Sequence, residues 1–164
     1  MRDDAPLYNA AMHPETTDEL RVASFRDLDT TTLYALLKLR TDVFVVEQNC
    51  VYADLDGRDT EPGTRHVWIS RGDQIAGYLR ILDDGDAQRI GRVVVAPAAR
   101  GAGLAQRLMT EALTVIGNRP SVLDAQAHLA PFYAGLGYRQ TGPEYLEDGI
   151  PHVPMVRAAP QPAR

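Results

Sequence analysis

The sequence holds one cysteine, Cys50, among 164 residues. No intramolecular disulfide can form, and zinc motifs built on cysteine pairs are excluded, so no metal site is expected. No apolar run reaches the roughly 20 residues that a membrane-spanning helix requires. No basic tract stands out either. The 17 lysines and arginines are scattered among 22 acidic residues, for a formal net charge of −5. That argues against nucleic acid or an anionic lipid surface as partner. Residues 1–19 are polar and broken by proline, and they lack the apolar core of a secretory signal. A cytoplasmic protein is expected.

What remains is a globular composition, 45% apolar and 24% charged. The length suits one domain and is too short for two ordinary ones. The expected layout is an N-terminal extension over 1–19, one domain over 20–158 and a proline-rich tail over 159–164. A first strand is read over Leu20 to Leu28. Asp29 and the following threonines then offer helix caps. In "LYALLKLRTDVF", Leu33, Leu36, Leu37 and Phe44 fall near one helical face. Arg40 shares that face, where its stem would cover apolar surface while its head reaches water. An acidic, turn-rich loop follows from Gln48 to Gly63. Its "YADLDGRD" reads as a solvated surface that could attract a cationic amine.

"RHVWIS" and "QIAGYLRIL" form a hairpin about Arg71-Gly72-Asp73, and "QRIGRVVV" adds a third strand. Gly91 inside it suggests a bulge or a close backbone approach. A helix opens at Leu104, with Leu104, Leu108, Ala112 and Val115 as its apolar stripe, and stops at Gly117-Asn118. "SVLDAQA" is a strand, "LAPFYAGLG" a short helix, "YRQTG" a strand, "YLEDG" a turn and "HVPMVRA" a last strand. The order β-α-βββ-α-β-α-ββ is mixed α/β. It is not the strict alternation of a doubly wound dinucleotide fold.

The chemistry concentrates at "RVVVAPAARGAGLAQRLM". A helix N-terminus carries unpaired N–H groups and a positive dipole end, which suit a phosphate. Arg100, Gly101, Ala102, Gly103, Leu104 and Ala105 keep that turn bare, and Arg100 adds charge. A P-loop would need Lys-Ser/Thr where Leu104-Ala105 stands. A dinucleotide fingerprint would need different glycine spacing. A small-residue turn with no ligand fits these six residues equally well.

Arg-x-x-Gly-x-Ala after a "VVVAP" strand resembles the acetyl-CoA motif of the GNAT N-acetyltransferase superfamily. The segments "LRTDVFVVEQNCVYADLDGRD", "GRVVV", "AQAHLAPFY" and "EDGIPHVPM", in that order, resemble its ElaA-like branch. The resemblance implies a GNAT-type mixed sheet with a central antiparallel meander and flanking helices. It implies acetyl transfer from acetyl-CoA to a small-molecule or peptide amine by direct attack in a ternary complex, with CoA as product. A homodimer is left open. The backbone of Arg100 through Ala105 would hold the pyrophosphate. Val93 and Val95 would pair with the pantetheine amides, and an N–H near Val94 or Val95 would serve the oxyanion. Gln126 stands where many members carry an asparagine that contacts the cofactor. Tyr133 matches the general acid.

The strand carboxylate that serves as base in many relatives is absent. Glu47 is set ahead of His152 as candidate base, with His66 and His128 behind, beside a water chain with no dedicated base. Cys50 reads as a small apolar filler. The alternative is a non-catalytic acyl-CoA-binding module of the same fold, or a phosphate-binding protein unrelated to CoA.

Overall fold

The computed structural model describes residues 17–161. Most of the predicted extension, and residues 162–164 of the predicted tail, lie outside them. Strand β1 (Asp18–Ala23) starts two residues before the expected boundary and ends well short of Leu28. Asp18 and Glu19 belong to it, opposite Arg71 and Ser70. A single 3₁₀ turn at Phe25–Asp27 ends it, closed by the Ser24 hydroxyl on Asp27 at 2.6 Å. Asp29 then caps α1 (Thr30–Arg40), accepting the Thr32 N–H at 2.8 Å.

The helix does not stop at Arg40. It widens over Thr41–Glu47 into turns with longer-range bonds, such as Gln48 N–H to the Val43 carbonyl at 3.0 Å. Such widened turns recur at functional sites. Strands β2 (Arg65–Arg71), β3 (Gln74–Asp83) and β4 (Gln88–Val95) form the expected meander. Helix α2 (Leu104–Ile116) follows, then β5 (Ser121–Gln126) and the short α3 (Ala130–Ala134). Strands β6 (Arg139–Gln140), β7 (Tyr145–Glu147) and β8 (Ile150–Arg157) complete the sheet. The segment "YLEDG", expected as a turn, thus contributes a strand, because Tyr145–Glu147 pairs with β8.

The eight strands run β1-β2-β3-β4-β5-β8-β6, with β7 also on β8. Alternation along the meander sends Val67, Ile69, Leu79 and Ile81 to one face and Trp68 and Tyr78 to the other. Helix α2 covers the first face with Leu104, Leu108, Met109, Ala112 and Ile116. Each fully buried side chain of leucine size is worth about 1.5–3 kcal/mol. Val115, at the flank of that stripe, is 39% exposed rather than buried. Gly77 permits the close approach, since a β-carbon there would stand 3.0 Å from Leu108 Cδ1. Helix α1 covers the second face with Leu36 and Leu39, and Val43 of the widened turns adds to it.

Arg40 overturns the expectation of a solvated head. It is 1% exposed. Its Nε and Nη1 reach Asp54 and Asp59 at 2.9 and 2.7 Å, and Nη2 donates to the Asp54 carbonyl at 2.8 Å. Arg80 joins Asp59 and Asp56. The acidic loop is therefore not a solvated surface, because its carboxylates turn inward onto arginines. Among the described residues no helix is long and apolar enough to cross a membrane.

Candidate active site

Strands β4 and β5 are parallel neighbours, yet their pairing is confined to Gln88 with Ser121 and Arg89 with Val122. Beyond Arg89 they separate. A cleft of about 730 Å³ opens there, and Val93, Val94, Val95, Arg100, Gln126, Tyr133, Glu47 and His152 all line it. A bulge in β4 lies within the separated stretch. Tyr78 faces Val94 and Arg80 faces Gly91, so Leu79 alone opposes Arg92 and Val93. The glycine hint was off by one, for the residue with left-handed backbone is Arg92, at φ 55°.

The bulge also sorts the valines. The Val94 carbonyl lies against Gly77 of β3, and Ala96 N–H donates to Ala76. The Val95 carbonyl instead accepts Arg100 Nε at 3.3 Å. Because N–H and C=O of an extended residue share a side, Val95 turns its N–H toward the cleft and Val94 does not.

At the start of α2, Gly101 and Gly103 take φ 81° and 76°, which only glycine adopts freely. A β-carbon on either would meet no atom within 4 Å, so the space above the turn is open. The Arg100 N–H is engaged with the Pro97 carbonyl at 3.5 Å. Among the described residues no partner accepts from the N–H groups of Gly101 through Gln106. The row of free donors is thus shifted one residue past the predicted Arg100–Ala105. A buried helix end would be closed by capping; this one is exposed and uncapped, which suits an anionic diphosphate.

Tyr133 is 6% exposed, with its ring edge-on to Phe132 and Tyr138. Burial first, and Tyr138 second, push its hydroxyl up to about 12, so it keeps its proton at neutral pH. His152 sits on β8 opposite Gln126. Its Nδ1 donates to the Ile150 carbonyl at 2.7 Å, which leaves Nε2 as the acceptor nitrogen, 3.8 Å from Glu147.

Glu47 is held differently. Arg100 grips it with two bonds, of 2.7 and 3.0 Å. That contact holds its carboxyl below the usual range. Gln126 donates to Gln48 at 3.3 Å. His66 is walled into the core between Tyr78 and the Asp59 carbonyl, and burial lowers its pKa. His128 lines the cleft. Cys50 is buried, with Sγ 3.5 Å from the Asp148 carbonyl.

A family model described as an acetyltransferase (GNAT) domain matches residues 38–159. The chain belongs to the GNAT acetyltransferase family. A UPF0039 protein of Mycobacterium tuberculosis is 47% identical over 146 residues, covering 86% of this chain and 94% of that one. Protein ElaA of Escherichia coli is 44% identical over 138 residues, covering 80% and 90%. The ElaA crystal structure superposes with a TM-score of 0.82, covering 86% of this chain and 99% of that one. An acyl-CoA N-acyltransferase from Pseudomonas aeruginosa gives 0.84 at 43% identity, covering 87% and 100%. The mixed GNAT sheet and the ElaA resemblance read from sequence are both borne out.

Sequence reasoning missed Arg80 and Arg92, which line this GNAT cleft, and it read Tyr52 and Asp54, within "YADLDGRD", as solvated surface, whereas Tyr52 lines the cleft and Asp54 is buried behind it.

Proposed function

We propose that the chain is an N-acetyltransferase that moves the acetyl group of acetyl-CoA to an amine by direct attack in a ternary complex. One observation carries this reading. Val95 and Tyr133 line one cleft between splayed strands, Arg100 lines it too, and the free N–H row of α2 begins at the next residue. The N–H groups of Gly101 through Gln106 would hold the diphosphate of the donor. The backbone of Val93 and Val95 would take its pantetheine amides. Bound acetyl-CoA supplies an acyl group activated as a thioester.

The rest is the work of the chain. Val95 N–H donates to the oxygen where negative charge develops. Tyr133 holds the proton that the departing thiolate needs. His152 Nε2, free to accept, takes the proton from the amine. Glu47 is the weaker base because Arg100 stabilises its ionised form. The order of these two candidates is therefore reversed relative to the sequence reading. The amine itself is a small molecule or a peptide.

Thermal melts with CoA, ATP and NAD test the donor. Stabilisation by CoA alone is expected, and stabilisation by ATP or NAD without CoA would replace this reading with an unrelated phosphate site. Thiol release is then followed over a panel of amines and peptides. Binding of acetyl-CoA with no release on any acceptor would leave a non-catalytic module. On the best acceptor, His152→Asn is expected to remove the acidic limb of the pH–rate profile, whereas Glu47→Gln leaves it in place. The opposite pattern would return the base to Glu47.

A further inference from the structure

Among the described residues, Arg92 is the one non-glycine strand residue in the left-handed region. A side chain with a β-carbon disfavours that conformation. Gly91 beside it could adopt it freely, but does not. The strain falls on the arginine because its guanidinium is anchored. Nε lies 2.8 Å from Asp54 Oδ1, and Nη2 donates to the Asp54 carbonyl at 3.0 Å. The guanidinium also stands 5.3 Å over the Tyr52 ring.

The anchor is itself fixed. The Asp54 side chain is 2% exposed, and it accepts from Arg40 at 2.9 Å and from the Tyr52 hydroxyl at 2.9 Å. Arg92 is where β4 gains its extra residue opposite Leu79. Strand β4 has already parted from β5 after Arg89, and beyond the extra residue Val95 faces the cleft.

We propose that Arg92 is a positioning residue: its clamp on Asp54 holds the β4 bulge, and the bulge sets the Val93 and Val95 backbone groups that receive the pantetheine arm of the donor. This rests on the reading of the cleft as an acyl-CoA site. The guanidinium acts through the backbone and does not itself touch the donor.

Two variants separate conformation from charge. Arg92→Ala removes the clamp and disfavours the left-handed backbone. Arg92→Gly removes the same guanidinium, but glycine keeps that backbone at little cost. Binding of CoA is compared with binding of 3′-phospho-ADP, which carries the diphosphate and lacks the pantetheine arm. Arg92→Ala is expected to weaken CoA about tenfold, the worth of one or two lost hydrogen bonds, and to leave 3′-phospho-ADP unchanged. Arg92→Gly is expected to recover most of the CoA affinity.

Three outcomes would overturn the proposal. One is CoA binding by Arg92→Ala at wild-type strength. Another is equal weakening of both variants, which would mean that the guanidinium acts otherwise than by holding the left-handed backbone of the bulge. The third is parallel loss of CoA and 3′-phospho-ADP, which would mark a general structural defect. If the wild type itself fails to bind CoA, the acyl-CoA reading falls first, and that is visible before any variant is made.

Discussion

Tyr133→Phe is expected to lower kcat at saturating acetyl-CoA about 100-fold and to leave KM for acetyl-CoA near its wild-type value. General acid catalysis contributes roughly 10²–10⁴-fold. A thiol leaving group, with an ordinary pKa of about 8.5, needs less help than an alcohol or amine, which places the loss at the low end. The substitution deletes one oxygen and keeps the ring against Phe132 and Tyr138. Fold and donor binding should therefore survive. With its hydroxyl pushed up to about 12, Tyr133 is protonated from neutral pH to about pH 10 and adds no limb to the profile there. Steady-state kinetics on the best acceptor decide the matter, and unchanged kcat would remove Tyr133 from the mechanism.

The second large effect is on stability. Arg40→Ala is expected to destabilise the protein by about 3–5 kcal/mol, the usual cost of removing one partner from a buried ion pair. For a domain of this size that is a fall in Tm of roughly 6–20 °C. Asp54 and Asp59 would remain buried, each short of one cation. Arg80 and Arg92 neutralise part of what is left, so the chain should still fold at low temperature. Thermal and urea melts measure the change. A loss below about 1 kcal/mol would mean that the cluster relaxes or admits water.

Much of the fold was legible because it was written locally. Helix α2 runs Leu104–Ile116 as its stripe predicts, since Gly103 and Gly117 punctuate it with positive φ. The meander follows from alternation. Strand β7 was not legible, since Tyr145, Leu146 and Glu147 are all exposed and show no buried face. The open turn at α2 could be read from six neighbouring residues. The wall beside β4 could not. Arg40 meets Asp54 and Asp59 across 14 and 19 residues of chain, and Arg92 meets Asp54 across 38. A carboxylate in an acidic loop looks solvated until its distant arginine is known. The grip of Arg100 on Glu47 spans 53 residues and was hidden for the same reason.

The short contact between β4 and β5 has a consequence for how the molecule opens. Two residue pairs join β1–β4 to β5, β8, β6 and β7 along the sheet. The hydrogen-bonded ladder is nearly interrupted there, and the two parts are held together chiefly by the core they share, where Ile81 and Ile90 belong to the same cluster as Leu123 and Val153. A chain of amides laid in the gap would stand in for the missing rungs. A ligand that paired with both edges would then also mend the sheet, and amide protection beside the gap would rise on binding.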